Sequence, residues 1–282
     1  MSLKDVLVFL DAADASEPRL RLATGIAHQL GGSLSAVYVR AKEDAGLPPG
    51  ITVLRRGLVP QLVPEVVDLP PSVSAGEVAE RRYRQCTPSS SEAHWYEIEA
   101  TDSAQLIALA RAADLIVMGQ SGHRPRVGAG PRPDRIVMNC GRPVLIVPYI
   151  GTYPEIGRRI LVAWDGSREA VRAVNDAIPM MGHAKAVTLV RVYDGHGGHE
   201  RDRETATRVI HHLASHGISA RLADTPRGSS PVADVLLSRA MDLSADMIVA
   251  GAFHRSPLRE TLVGGVSRGL LQRMTVPVLM SH

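Results

Sequence analysis

The chain repeats itself once, and that limits what it can fold into. KDVLVFLDAADASEPRLRLATGIAHQLGGSLSAVYVRA at Lys4–Ala41 has a counterpart in RRILVAWDGSREAVRAVNDAIPMMGHAKAVTLVRVYD at Arg158–Asp194. Each begins with a basic residue and a short apolar run that ends in an acid, Asp11 or Asp165. A helical segment, a glycine and a second apolar run follow, Leu34–Val39 or Val187–Val192. AQLIALARAADLIVMGQSG at Ala104–Gly122 then pairs with ADVLLSRAMDLSADMIVAGAFH at Ala233–His254, and CGRPVLIVPY at Cys140–Tyr149 with MTVPVLMSH at Met274–His282. Three matches in the same order mark the duplication of a whole domain.

Within each copy, short apolar runs alternate with helical segments. Runs such as LIVMG and MIVAG are continuously apolar, as strands covered on both faces are. Alternation of this kind predicts parallel βαβ units with right-handed crossovers. The expected fold class is therefore α/β: two tandem, doubly wound, mostly parallel sheets of about five strands each, related by a pseudo-twofold axis. GTYPEIG at Gly151–Gly157 supplies the boundary, which gives a first domain over residues 1–150 and a second over 157–282. The copies differ after their second strand. Copy one carries an insertion over residues 45–76, AGLPPGITVLRRGLVPQLVPEVVDLPPSVSAG. Its prolines exclude a long helix, and its Val and Leu content is too high for a disordered linker.

Composition then removes several classes of function. Hydrophobic residues make up 45% of the chain and charged residues 22%, the balance of an ordinary globular protein. A net charge of +3 with scattered arginines gives no nucleic-acid face, and 4% aromatic residues give no base-stacking platform. Cys86 and Cys140 are the only cysteines and have no zinc or CxxC spacing. No apolar stretch is long enough for a membrane span and the N-terminus lacks the form of a signal peptide, so a cytoplasmic protein without membrane contact is expected. There is no GxSxG elbow, HExxH or Walker lysine motif, and no enzyme is expected. DGHGGHE at Asp194–Glu200, with His211 and His212 beyond it, has zinc-type donors, but its loose glycine spacing reads as a surface loop.

In open parallel sheets, ligands settle at the carboxyl ends of the strands where the strand order reverses. The residues to read in copy two are thus Asp165-Gly166-Ser167, Val192–Asp194, Thr225–Ser229 and the stretch from Gly251. Those segments, VAWDGSREAVRAV at Val162–Val174, ADMIVAGAFHRSPLRETLVGGVSRGLLQRMTVPVLM at Ala245–Met280 and DLIVMGQSGHR at Asp114–Arg124, resemble the universal stress protein family, in a tandem form. The resemblance covers nearly the whole chain apart from the proline-rich insertion. It implies a sandwich like that of the adenine nucleotide alpha hydrolases, dimerisation through the last strand and, in one branch, ATP bound at the strand rim.

The ATP-binding branch is marked by Gly, two residues, Gly, nine residues, Gly, then Ser or Thr. Glycines let backbone N–H groups approach phosphate oxygens, and the following helix adds its positive end. Copy two places Gly251, His254, Gly264 and Gly265 at those four positions, followed by Val266 and Ser267. The first and third positions agree; His254 and Gly265 depart. A protonated His254 would pair with phosphate alongside Arg255 and Arg268. Alternatively, GGVSRGLL is only a helix start whose glycines permit close packing. Copy one keeps Gly119 and Gly122 but has Arg132 where the third glycine belongs. Its Arg124, Arg126, Arg132 and Arg135 would suit another anion or simply a solvated face. For the adenosine end the resemblance points to Asp165 and the backbone of Val192, matched by Asp11 and Val39 in copy one. Asp165 also reads as the N-cap of the next helix.

Two readings stand at this point. In one the chain is a stress-response protein with ATP as a regulatory ligand, bound in copy two. In the other it is a stress or scaffold module whose ATP site has degenerated. In both, the last strands, Pro143–Tyr149 and Pro277–Met280, are edges that would pair with each other inside one chain, with a homodimer of such chains as a further option.

Overall fold

The computed structural model describes residues 3–11, 16–40, 74–87, 93–121, 131–194, 199–252 and 265–282. Most of the insertion over 45–76 lies outside them, as do Gly122, His254 and Gly264. The first half comprises β1 (Asp5–Leu10), α1 (Ser16–Leu30), β2 (Ser33–Arg40), α2 (Ala75–Cys86), β3 (Trp95–Glu99), α3 (Ser103–Ala112), β4 (Leu115–Gly119), α4 (Pro133–Cys140) and β5 (Val144–Val147). The second repeats that order with β6 (Arg159–Trp164), α5 (Arg168–Met181), β7 (Ala186–Tyr193), α6 (His199–Ser215), β8 (Ala220–Pro226), α7 (Val232–Asp242), β9 (Met247–Gly251), α8 (Gly265–Arg273) and β10 (Val278–Ser281).

The two five-stranded units merge into a single ten-stranded sheet in the order β3-β2-β1-β4-β5-β10-β9-β6-β7-β8. Every neighbouring pair is parallel except β5 with β10, which is antiparallel, with Val144, Leu145 and Ile146 opposite Met280, Leu279 and Val278. The last strands thus pair inside one chain, as the edge reading anticipates. All six of these side chains are fully buried, and each contributes roughly 1.5–3 kcal/mol by leaving water. The polar content of the outermost strands, β3 and β8, has the complementary cause: they are only half covered.

Helices α1, α2, α5 and α6 pack on one face of the sheet and α3, α4, α7 and α8 on the other. This double winding follows from the apolar strand runs, which need cover on both sides. Because β5 and β10 run in opposite directions, the carboxyl ends of the two sets of parallel strands lie on opposite edges of the sheet.

One device in the repeat fixes how each fourth strand enters the sheet. Asp114, just before β4, accepts hydrogen bonds from the backbone N–H groups of Lys4 (2.8 Å) and Asp5 (3.1 Å). Asp246, just before β9, accepts from the N–H groups of Gly157 (2.8 Å), Arg158 (3.0 Å) and Arg159 (3.2 Å). A carboxylate at this position clamps the amino ends of adjacent strands through charge-assisted bonds, each stronger than a neutral one. Asp246→Ala is expected to lower the stability of the protein by roughly 2–4 kcal/mol, and Asp114→Ala by less because fewer amides lose their acceptor. Urea unfolding midpoints of the two variants test this; equal, negligible losses would show that the clamps are ornamental.

Candidate functional site

In each half the connections reverse between the first and fourth strands, β1 and β4 or β6 and β9. A crevice opens at their carboxyl ends. In the second half, Gly251 ends β9, Asp165 follows β6 and Val192 is the penultimate residue of β7, three adjacent strands. With strands about 4.8 Å apart, they share a rim about 10 Å wide. The β6–β7 ladder stops at Trp164 opposite Arg191, while β7 continues beside β8 to Tyr193 opposite Pro226. The backbone of Val192 therefore lies beyond the end of β6. Val39 is placed in the same way: β1 stops at Leu10 opposite Tyr38, and β2 runs on beside β3.

The turn after β6 is built from Asp165-Gly166-Ser167. Gly166 has φ of +76°, the left-handed region that glycine tolerates. Ser167, not Asp165, is the N-cap of α5: its Oγ accepts from the N–H of Ala170 at 3.1 Å. The N-cap reading of Asp165 is thereby corrected. Its Oδ1 instead accepts from Ser167 Oγ at 2.6 Å and from Ser167 N–H at 3.0 Å, orienting the residue that does the capping. Ser167 wins because the glycine turn brings its hydroxyl, one residue before the first helical N–H, to the helix axis. Asp165 remains exposed, and its Oδ2 takes no hydrogen bond from a described residue.

Gly251 has a packing reason of its own. A Cβ there would lie 2.5 Å from the backbone N of Ala170 and 2.6 Å from the carbonyl carbon of Glu169. The first turn of α5 thus rests directly on the exit of β9. Further along, α8 runs back from the carboxyl edge into β10. Gly265 and Val266 are exposed at its start, whereas Ser267 is buried. The N–H groups of this first turn have no intrahelical acceptor, as at any helix start. His254 and Gly264 lie outside the described residues, so their relation to this turn is not part of the geometry.

Buried polar groups at this rim are incompletely paired. Among the described residues, Trp164 Nε1, Thr225 Oγ1 and Ser281 Oγ have no hydrogen-bond partner. They stand at or next to the last residues of β6, β8 and β10. Leaving such a group unpaired costs about 1–3 kcal/mol. Beside them, Arg191 is buried and its Nε donates to Asp224 Oδ1 at 2.7 Å, while Arg203 Nη1 donates to Asp224 Oδ2 at 3.0 Å.

The first half has the same frame with a different filling. Ser16 Oγ lies 2.7 Å from Asp11 Oδ1, matching the Ser167–Asp165 contact. Three residues beyond Ser16 comes Arg19, where the second half has Ala170. The Arg19 side chain is buried; its Nη1 donates to the carbonyl of Phe9 at 2.6 Å and its Nη2 to Ser16 Oγ at 3.3 Å, with Asp11 Oδ1 3.6 Å away. Burial lowers its pKa from the ordinary arginine value and Asp11 opposes that shift. Gly119 lies beneath the guanidinium: a Cβ there would be 2.8 Å from Arg19 Cζ. Sequence reading named Arg132 instead, whose guanidinium is taken up by Asp134 two residues on. Comparing the two copies position by position would have exposed Arg19. Gly122, Arg124 and Arg126 are outside the described residues.

Two halves with one strand order, each with an Asp–Ser unit beside a fourth-strand glycine, define a tandem doubly wound α/β protein of the class that receives ligands at a strand rim. The universal stress protein family profile matches residues 2–148 and again 157–282. The chain therefore belongs to the universal stress protein family. Among solved structures it is similar to a universal stress protein from Archaeoglobus fulgidus DSM 4304, with 16% identity and a TM-score of 0.67 over 99% of this chain and 96% of that one. It is also similar to a protein of unknown function from Pseudomonas aeruginosa PAO1, with 17% identity and a TM-score of 0.54 over 99% of this chain and 92% of that one. At these identities the likeness is one of fold. No match was found among curated proteins.

The contacts of the two glycines separate their roles. Gly251→Ala would push a methyl into helix backbone and is expected to cost roughly 1–3 kcal/mol, as overpacking does. Gly119→Ala meets the end of a side chain, which can shift, and is expected to cost less. Thermal unfolding of both variants checks the order; the reverse ranking would remove α5 packing as the reason for Gly251.

Proposed function

We propose that this protein is a cytoplasmic stress-response protein that binds an adenine nucleotide, ATP, as a regulatory ligand at the carboxyl rim of its second half. The role is binding, with no bond-breaking step. The observation that carries the reading is the hydrogen-bonding capacity at that rim: the exposed Asp165 carboxylate and Trp164 Nε1, Thr225 Oγ1 and Ser281 Oγ, which have no partner among the described residues. The chemistry of the donor set fits the ligand. A carboxylate beside a strand end accepts hydrogen bonds from ribose hydroxyls. The strand edge past the end of β6 offers Val192 backbone groups to a base, and the first-turn amides of α8 suit phosphate oxygens. No helix among the described residues is long and apolar enough to cross a membrane, which fits the proposed location.

Calorimetry and thermal shift with ATP test the proposal. Binding at a hundred times Kd is expected to stabilise the protein by about 2.7 kcal/mol. Asp165→Asn retains the Oδ1 acceptor for Ser167 but turns the other oxygen into an amide donor. It is expected to weaken ATP roughly tenfold or more, the size of one charge-assisted hydrogen bond, with little change in Tm. Absence of both heat and thermal shift at millimolar ATP would sink the proposal.

A second reading, a scaffold module without nucleotide, is favoured by Gly251, whose contact with α5 accounts for a glycine without any ligand. His254→Gly in the same calorimetric experiment decides between them. A gain of ATP affinity in that variant, with none in the native protein, identifies a degenerate site.

A further inference from the structure

The structure assigns to Arg19 the closure of the first-half crevice: we propose that this side chain occupies the place a ligand would take between β1 and β4, so that the protein binds one nucleotide per chain. The stoichiometry rests on the nucleotide reading of the second half. The assignment of Arg19 rests on first-half geometry alone.

Three observations carry it. Arg19 Nη1 donates to the carbonyl of Phe9, the penultimate residue of β1, at 2.6 Å, and the guanidinium carbon would lie 2.8 Å from a Cβ at Gly119, the last residue of β4. The group therefore spans the exits of the two strands between which the connections reverse, where a doubly wound sheet receives its ligand. Secondly, Asp11 and Ser16, the counterparts of Asp165 and Ser167, both reach it, with Asp11 Oδ1 at 3.6 Å, its side chain still 41% exposed, and Ser16 Oγ at 3.3 Å. In the second half the position of Arg19 holds Ala170, whose backbone N–H donates to Ser167 Oγ at 3.1 Å, and Asp165 is exposed. Thirdly, the guanidinium is 4% exposed, so the crevice is filled rather than lined.

The charge sense agrees with the filling. A buried guanidinium stays protonated and needs acceptors, and it finds a carbonyl, a hydroxyl and a carboxylate in the protein itself. An entering nucleotide would have to break those contacts and displace a packed side chain. In the second half it would meet groups that have no partner among the described residues instead. The two halves thus use one frame in opposite ways, one satisfied internally and the other from outside.

The experiment counts ATP equivalents by calorimetry on the full chain, native and Arg19→Ala, and maps photolabelling by 8-azido-ATP to each half. Arg19→Gln, which keeps an amide donor near Phe9, provides the comparison should the alanine variant fail to fold. The expected result is one equivalent and label in the second half alone for the native protein, rising to two equivalents with label in both halves when Arg19 is replaced. Two equivalents in the native protein would overturn the assignment while leaving nucleotide binding intact. One equivalent before and after replacement would overturn it as well. No binding in the native protein with one first-half equivalent in the variant would remove the function proposed for the second half and keep Arg19 as the closing residue. No binding in any form would overturn both.

Discussion

Everything in this molecule hangs on the antiparallel contact between β5 and β10. Without it each half would end in a largely apolar strand with one row of unpaired N–H and C=O groups, the kind of edge that draws other chains. With it, Val144, Leu145 and Ile146 face Met280, Leu279 and Val278, and the most apolar strands occupy the middle of a ten-stranded sheet. The direction of that contact also sends the two rims to opposite edges, so ligand chemistry in one half cannot share groups with the other. Side-chain hydrogen bonds beside that contact also join the halves directly. Gln120, next to Gly119, donates from Nε2 to the carbonyl of Leu271 on α8 at 2.8 Å, and Arg172 on α5 donates to the carbonyl of Gly141 after α4 at 2.9 Å.

Much of the architecture was legible because it is written twice. The apolar runs LIVMG and MIVAG became β4 and β9, and the pairing of the last strands followed from their being edges in each copy. Strand limits moved by a residue or so: β7 extends to Tyr193, one residue past the apolar run, because its neighbour β8 continues to Pro226. The DGHGGHE stretch, read as a surface loop, gives its last two residues to α6, which starts at His199.

The candidate site was less legible, and for physical reasons. A motif reports which residues are present at a spacing, whereas capping depends on which oxygen reaches the helix N–H groups. For that reason Asp165 was assigned a job that Ser167 performs, and Gly251 a phosphate role when α5 backbone already demands a residue without a side chain. Asp114 and Asp246 lay inside the segments that carried the family resemblance, yet their clamping of strand amides depends on partners more than eighty residues away. Arg19 was passed over for the converse reason. An arginine in the first turn of a helix normally points to water, and only the fold turns this one toward the carbonyl of Phe9.

The fusion of the two copies has a consequence for how this molecule was free to change. In a dimer of identical chains, any substitution appears on both sides of the twofold axis, so neither rim can depart from the other. Here the β5–β10 contact lies within one polypeptide, and the copies keep the frame while differing where it matters: Arg19 against Ala170, Val147 against Ser281, Leu10 against Trp164. The joint does not depend on concentration, and its two partners are never exchanged for one another. A symmetric architecture held in one polypeptide leaves each rim free to change without the other.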